Sequence, residues 1–379
     1  MKEFLRSKKN LWLLAWLPGA AMYVTARFVP NAAEYVFARG IYRVYSNAMA
    51  FLTGLIPISL AELLVIAVPV FFAALIPVAI VRMIVRKTGI EGLKVLRLMI
   101  VLLGIIFSWY MLGCGTNYYR YEFSAFSGLT VQRSTVDELE GLCTELAGKA
   151  ATARERAAAE AVKSGSMAAE DEVYNSYLSQ KELKEASRSA MYALADKYPI
   201  MKGYFPRPKA VFFSRVMSEF NFTGVYFPWT VEANVNVDIP DYPQAVTMCH
   251  ELSHLRGFMR EDEANFIGYL ACAVSGEPDL EYSGYMLALT YSANQLYAES
   301  PERWGHVRAL YSDGMVADMV ANSEYWKQFE DTVAAEIGEN MNNAYLKANK
   351  QTDGTKSYGR MVDLLLAEWR ANRADNGGN

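Results

Sequence analysis

The alternation of apolar and polar positions divides the chain into two unlike parts. Residues 63–81 carry no charge between Glu62 and Arg82, and residues 98–119 carry none before Arg120. Each run is long enough to cross a bilayer as a helix. A shorter run, 11–26, extends to Val29 if Arg27 snorkels to the interface, and is read as a third span. The three spans are placed at about 11–29, 63–84 and 98–118. Residues 44–61 are also uncharged, but Gly54 and Pro57 interrupt them and only Glu62 separates them from the next run. Two helices cannot cross and return without a loop, so this piece is read as interfacial.

Beyond residue 119 the periodicities are those of a folded domain. Val136, Leu139, Leu142 and Leu146 recur at helical spacing within a charged segment, 134–164, read as a long exposed helix. Helical periodicity resumes over 180–197 until Tyr198-Pro199 ends it. Residues 209–213, 223–227 and 230–237 are short, β-branched or aromatic, and bounded by Gly or Pro, which predicts strands. In the last, Val231 to Val237 alternate apolar and polar, the pattern of a half-buried edge strand able to pair with an extended peptide. Asp241-Tyr242-Pro243-Gln244 predicts a helix start with Asp241 as N-cap, and Arg256-Gly257 a C-terminal stop. A second helix opens at Glu261-Asp262-Glu263 and runs to about Val274, with Glu263, Ile267, Leu270 and Val274 along its apolar face.

Composition and charge refine this picture. The apolar fraction of 52% is high for a soluble chain, and the excess sits in the spans. Lys and Arg number four before the first span, three between 27 and 61 and five between 82 and 97. By the positive-inside rule the N-terminus lies in the cytoplasm and everything after the third span lies outside it. The expected organisation is a membrane anchor, 1–119, and an extracytoplasmic domain, 120–379, in a multi-pass protein of the cell membrane. The net charge of −4 gives no reason to expect nucleic acid as a partner. Four cysteines without CxxC spacing are too few for a disulfide scaffold, and Cys249 and Cys272 are expected to pack as small apolar residues.

The chemistry is concentrated in His250-Glu251-Leu252-Ser253-His254, which holds two of the three histidines in the chain. On a helix, residues four apart share a face, so both imidazoles can hold one Zn2+ with Glu251 beside them. A catalytic zinc site takes three protein ligands and leaves one position for water. A chain that turns back after Gly257 can supply the third from the acidic helix. Glu263 is preferred, because Glu261 and Asp262 have less consistently apolar neighbours at helical spacing. Glu251 would act as general base towards a metal-activated water, giving hydrolysis of a peptide bond. Tyr282, Tyr285, Tyr358, Arg360 and His306 are the available donors for the oxyanion, none singled out by pattern.

The pentad followed by Arg256-Gly257-Phe258 and by Arg260 to Phe266, with Tyr226-Phe227-Pro228, Glu232-Ala233-Asn234-Val235-Asn236 and Lys356-Ser357-Tyr358-Gly359-Arg360, resembles the bacterial domain-of-unknown-function 3810 family across nearly the whole chain. The resemblance implies a membrane-anchored zincin-like protein with three N-terminal transmembrane helices and no established substrate; together with the elements and the chemistry read above, the expected fold is that anchor plus a mainly α (α+β) zincin-like metallopeptidase domain holding a small β-sheet. The resemblance also carries a ligand role onto Glu263 and makes Asn234, Asn236, Tyr358 and Arg360 candidates for substrate binding. The expected partners are the lipid bilayer and a peptide or protein substrate. Two alternatives belong to other classes: a zinc-binding membrane sensor or binding protein without proteolysis, and a zinc hydrolase of a non-peptide envelope substrate. An intramembrane protease is excluded, because Asp241, Arg256 and Arg260 closely flank the pentad.

Overall fold

A computed structural model describes residues 11–86, 90–349 and 359–377. The chain divides into two compact units, Met1–Tyr121 with Phe227–Glu232, and Glu122–Tyr226 with Ala233–Asn379. A loop from the middle of the sequence thus belongs to the N-terminal unit.

The N-terminal unit is built on two long apolar helices, Leu60–Arg86 and Ile90–Gly113. Their spans Leu60–Val85 and Gly92–Gly113 are long and apolar enough to cross a membrane, and little of either is buried within the protein. The first expected span, 11–29, does not form one such helix. It begins as a 3-10 turn, Leu11–Trp16, and continues as a twelve-residue helix, Leu17–Phe28. Trp16 Nε1 donates to the Ile100 carbonyl at 3.0 Å, and Gly19 N to Ser108 Oγ at 3.0 Å, so this segment packs along Ile90–Gly113. The interfacial stretch becomes a helix, Tyr42–Gly54, ending where Gly54 and Pro57 break the pattern.

The larger unit is mainly helical around a three-stranded mixed sheet of order β1-β3-β2, with β1 Lys209–Ala210 parallel to β3 Glu232–Val235 and β2 Gly224–Phe227 at the other edge. The expected edge strand is therefore the central one. All four residues of β3 are buried, because both polar and apolar side chains face packed elements. The segment read as an exposed helix, Val136–Ser164, starts with a Thr135/Glu138 capping box and buries Leu139, Leu142, Leu146 and a stripe of alanines. That small-residue stripe lets it lie against the helix Pro278–Glu299. The helix Gln180–Lys197 has the expected bounds and a Ser179/Glu182 capping box.

Candidate metal centre

The pentad ends a helix, Asp241–His254, whose C-terminal turn closes with Gly257 at φ +84°, the left-handed conformation that favours glycine. At the other end Pro240 occupies the N-cap, and the Asp241 carboxylate instead accepts from Ser176 N at 2.9 Å. The chain then turns back into the helix Glu261–Ala273. The two helices meet at Gly268, where a Cβ would lie 3.2 Å from both His250 N and the Val246 carbonyl. This close approach aims the Glu261 face at the pentad, since positions 261, 265, 268 and 272 fall on one side of a helix.

His250, His254 and Glu261 form a group able to hold a metal cation, with one donor atom from each lying within 4.8 Å of the others. His250 Nε2 is 3.2 Å from His254 Nε2 and 3.2 Å from Glu261 Oε2, and His254 Nε2 is 4.0 Å from Glu261 Oε1. Donors bound at about 2.0–2.1 Å to a tetrahedral ion stand about 3.3–3.4 Å apart, so the spacing fits with a small movement of the carboxylate. The other imidazole nitrogens are engaged from behind. His254 Nδ1 is 2.7 Å from the Phe258 carbonyl, and His250 Nδ1 is 2.8 Å from Asn265 Oδ1. Donation through Nδ1 leaves both Nε2 lone pairs pointing at one another, an arrangement that requires a proton or a cation between them.

Titration follows from this crowding. Burial alone would depress His250, but the hydrogen bond and charge of Glu261 outweigh it and push its pKa up to about 9. Burial and the His250 charge bring His254 down to about 4. For Glu261, burial acts upward and the two imidazoles act downward, and the carboxyl ends below its ordinary value. Glu251, only 4% exposed, is raised to about 8, chiefly by burial. Its carboxylate accepts from the Tyr226 backbone N–H, while Oε2 is buried with no hydrogen-bond partner. An orphaned acceptor beside two converging imidazoles suits a water or hydroxide held next to a metal.

The structure separates the three acids of the second helix. Glu263, the expected third ligand, is buried as its apolar neighbours require, but accepts from Phe123 N at 2.6 Å and pairs with Arg260 Nη1 at 3.2 Å. It lies two residues from Glu261, about 200° around the helix, and so faces away from the imidazoles. Asp262 pairs with Arg360 Nε at 2.9 Å, which is where the latter candidate is placed. Asn234 is buried in β3, and Asn236 is buried just past its end. Asn234 donates to the Val225 carbonyl, and Asn236 to Ser218 Oγ and the Phe222 carbonyl, so both brace β2 and its approach. Tyr358 lies outside the described residues. Of the donors considered for the oxyanion, Tyr282 donates to Asp318 at 2.6 Å and His306 sits 3.5 Å from Glu140. The Tyr285 ring lies tilted against that of Tyr269, with centroids 6.3 Å apart. None of these is brought to the pentad by its contacts.

Sequence reasoning ranked Glu261 behind Glu263 and missed Asn265, Gly224 and Tyr226. A signal for Glu261 and Asn265 was present: they are spaced i, i+4, matching His250 and His254. Cys249 and Cys272 pack with their sulfurs 3.9 Å apart as free, buried thiols, as expected.

The family described as Protein of unknown function (DUF3810) matches residues 37–366, and the chain belongs to it. No curated protein and no solved structure matches the chain.

Proposed function

We propose that this member of the DUF3810 family is a membrane-anchored zinc metallopeptidase, with His250, His254 and Glu261 as metal ligands and Glu251 as general base. The observation that carries the reading is the convergence of the two Nε2 atoms and Glu261 beside the unpartnered Glu251 Oε2. Zinc bound there supplies a Lewis acid and brings the pKa of water towards neutrality. Asn265 and the Phe258 carbonyl hold the two imidazoles in the tautomer that leaves Nε2 free. Glu251 takes the proton of the attacking water and passes it to the leaving amine, a role suited to a carboxyl raised towards neutral pH. Strand β2, at the sheet edge beside Glu251, replaces the central β3 as the strand against which an extended peptide would lie. Two apolar helices support anchoring, and the reading includes the third span at 11–29 and an extracytoplasmic catalytic domain.

The test uses the purified full chain in detergent, with metal content and cleavage of a random peptide library measured for wild type and Glu251→Gln. One zinc per chain in both, with cleavage only by the wild type, is expected. Zinc binding with identical peptide profiles would remove the peptidase reading.

A further inference from the structure

Cys249 and Cys272 stand on the two helices that carry the candidate ligands, both within the larger unit. Cys249 directly precedes His250. On the second helix, positions 261, 265, 268 and 272 share one side, so a single face presents Glu261, Asn265, the close approach at Gly268 and, one turn further, Cys272.

Both cysteines are fully buried, with their sulfurs 3.9 Å apart. Cys249 Sγ is 3.8 Å from the Ser187 carbonyl in Gln180–Lys197, and a Cβ added at Gly284 in Pro278–Glu299 would lie 2.5 Å from Cys272 Cβ. Four helices thus meet at the two thiols. A disulfide needs its sulfurs at about 2.05 Å, a closure of roughly 1 Å from each side. The backbones already approach closely at Gly268, one turn away, which puts that closure within reach of side-chain rotation. All four cysteines of the chain are buried, so proximity and not exposure sets this pair apart. Cys114 belongs to the other unit and Cys143 to Val136–Ser164.

We propose that Cys249 and Cys272 are an oxidisable pair whose disulfide staples the two ligand-bearing helices and holds the metal centre assembled. The loop it closes, residues 249–272, contains His250, Glu251, His254, Glu261 and Asn265, which is the whole candidate centre. Closing that loop removes freedom from the unfolded chain and keeps Glu261 against the imidazoles before a metal arrives. The oxidant is a small-molecule disulfide. One cysteine thiolate attacks it and releases a first small thiol; the other attacks the mixed disulfide and releases a second. Two electrons leave the cysteines, and their two protons end on the released thiols. Because both thiols are buried, the exchange enters through transient opening of the helix pair. The inference rests on the metal centre and the extracytoplasmic, oxidising setting proposed above, but the cross-link itself is measured without metal or substrate.

The full chain in detergent is incubated with reduced or oxidised glutathione, with and without sub-denaturing urea to promote that opening. Free thiols are then alkylated and the peptides mapped by mass spectrometry. The oxidised wild type is expected to carry one cross-link, between Cys249 and Cys272, with Cys114 and Cys143 alkylated. In the metal-free protein, amide exchange across 241–254 and 261–273 is expected to slow at least about tenfold on oxidation, and zinc to bind at least about threefold more tightly than to the reduced form. Cys272→Ser is expected to lose both effects of the oxidant and Cys143→Ser to keep them. Failure of the wild type to form the cross-link overturns the proposal, as does a cross-link that leaves exchange or zinc affinity unchanged. A cross-linked protein with slowed exchange that takes up no zinc would keep the staple and remove the metal reading.

Discussion

His250 Nδ1 lies 2.8 Å from Asn265 Oδ1, on the side of the ring opposite Glu261. Asn265 in turn stands 3.4 Å from the Tyr291 hydroxyl, which holds the amide in place. Acceptors behind a metal-binding imidazole set its orientation and basicity. Asn265→Ala is therefore expected to weaken zinc binding about 10–100-fold in chelator competition, with little change in melting temperature of the metal-free protein.

Glu261 and Glu263 are expected to separate cleanly by mutation. Glu261→Gln removes a ligand and abolishes stoichiometric zinc at micromolar metal. Glu263→Gln keeps zinc but leaves the Phe123 N–H and Arg260 with a neutral partner, costing about 1–3 kcal/mol in denaturant unfolding. The reverse pattern would return the ligand role to Glu263.

In the metal-free protein a proton sits on His250 below about pH 9, because Glu261 stabilises the imidazolium more than burial penalises it. Zinc must displace that proton, so affinity falls by up to about tenfold for each pH unit below 9. Calorimetry in buffers of different ionisation enthalpy is expected to show proton release at pH 7.5. His254, depressed to about 4, contributes none.

Asp279 supplies a stability signature remote from the pentad. Burial, helped by the nearby Asp241 and opposed by the hydrogen bond from Ser176, raises its pKa to about 6. A raised folded-state value favours the protonated fold: the contribution is complete below about pH 3.8 and lost as pH rises through about 6. Asp279→Asn keeps an acceptor for Ser176 and is expected to stabilise the protein at pH 8 by up to about 2–3 kcal/mol, and not at pH 4. Melting curves at the two pH values measure this.

Local signals carried much of the fold. The bounds of Gln180–Lys197, the Gly257 stop and the start of the acidic helix at Glu261 were all legible, because capping and positive-φ chemistry act within a few residues. The pentad was legible for the same reason. The preference for Glu263 over Glu261 rests on apolar periodicity, which reports only which face is buried. It correctly placed Glu263 inside, but the inward face met Phe123, whereas Glu261 met the imidazoles from the helix's first turn. The strand order was hidden too, since alternation in 231–237 looks the same in an edge strand and in a central one whose polar residues bond within the fold. That residues 227–232 join the N-terminal unit is a long-range fact with no local signature.

The most direct measurement is an anomalous difference map at the zinc edge from crystals of the full chain. The expected map has one peak about 2.0–2.2 Å from His250 Nε2, His254 Nε2 and a Glu261 oxygen, with the fourth position facing Glu251. A peak closed by a fourth protein ligand, a peak ligated by Glu263, or no peak at the pentad would contradict it.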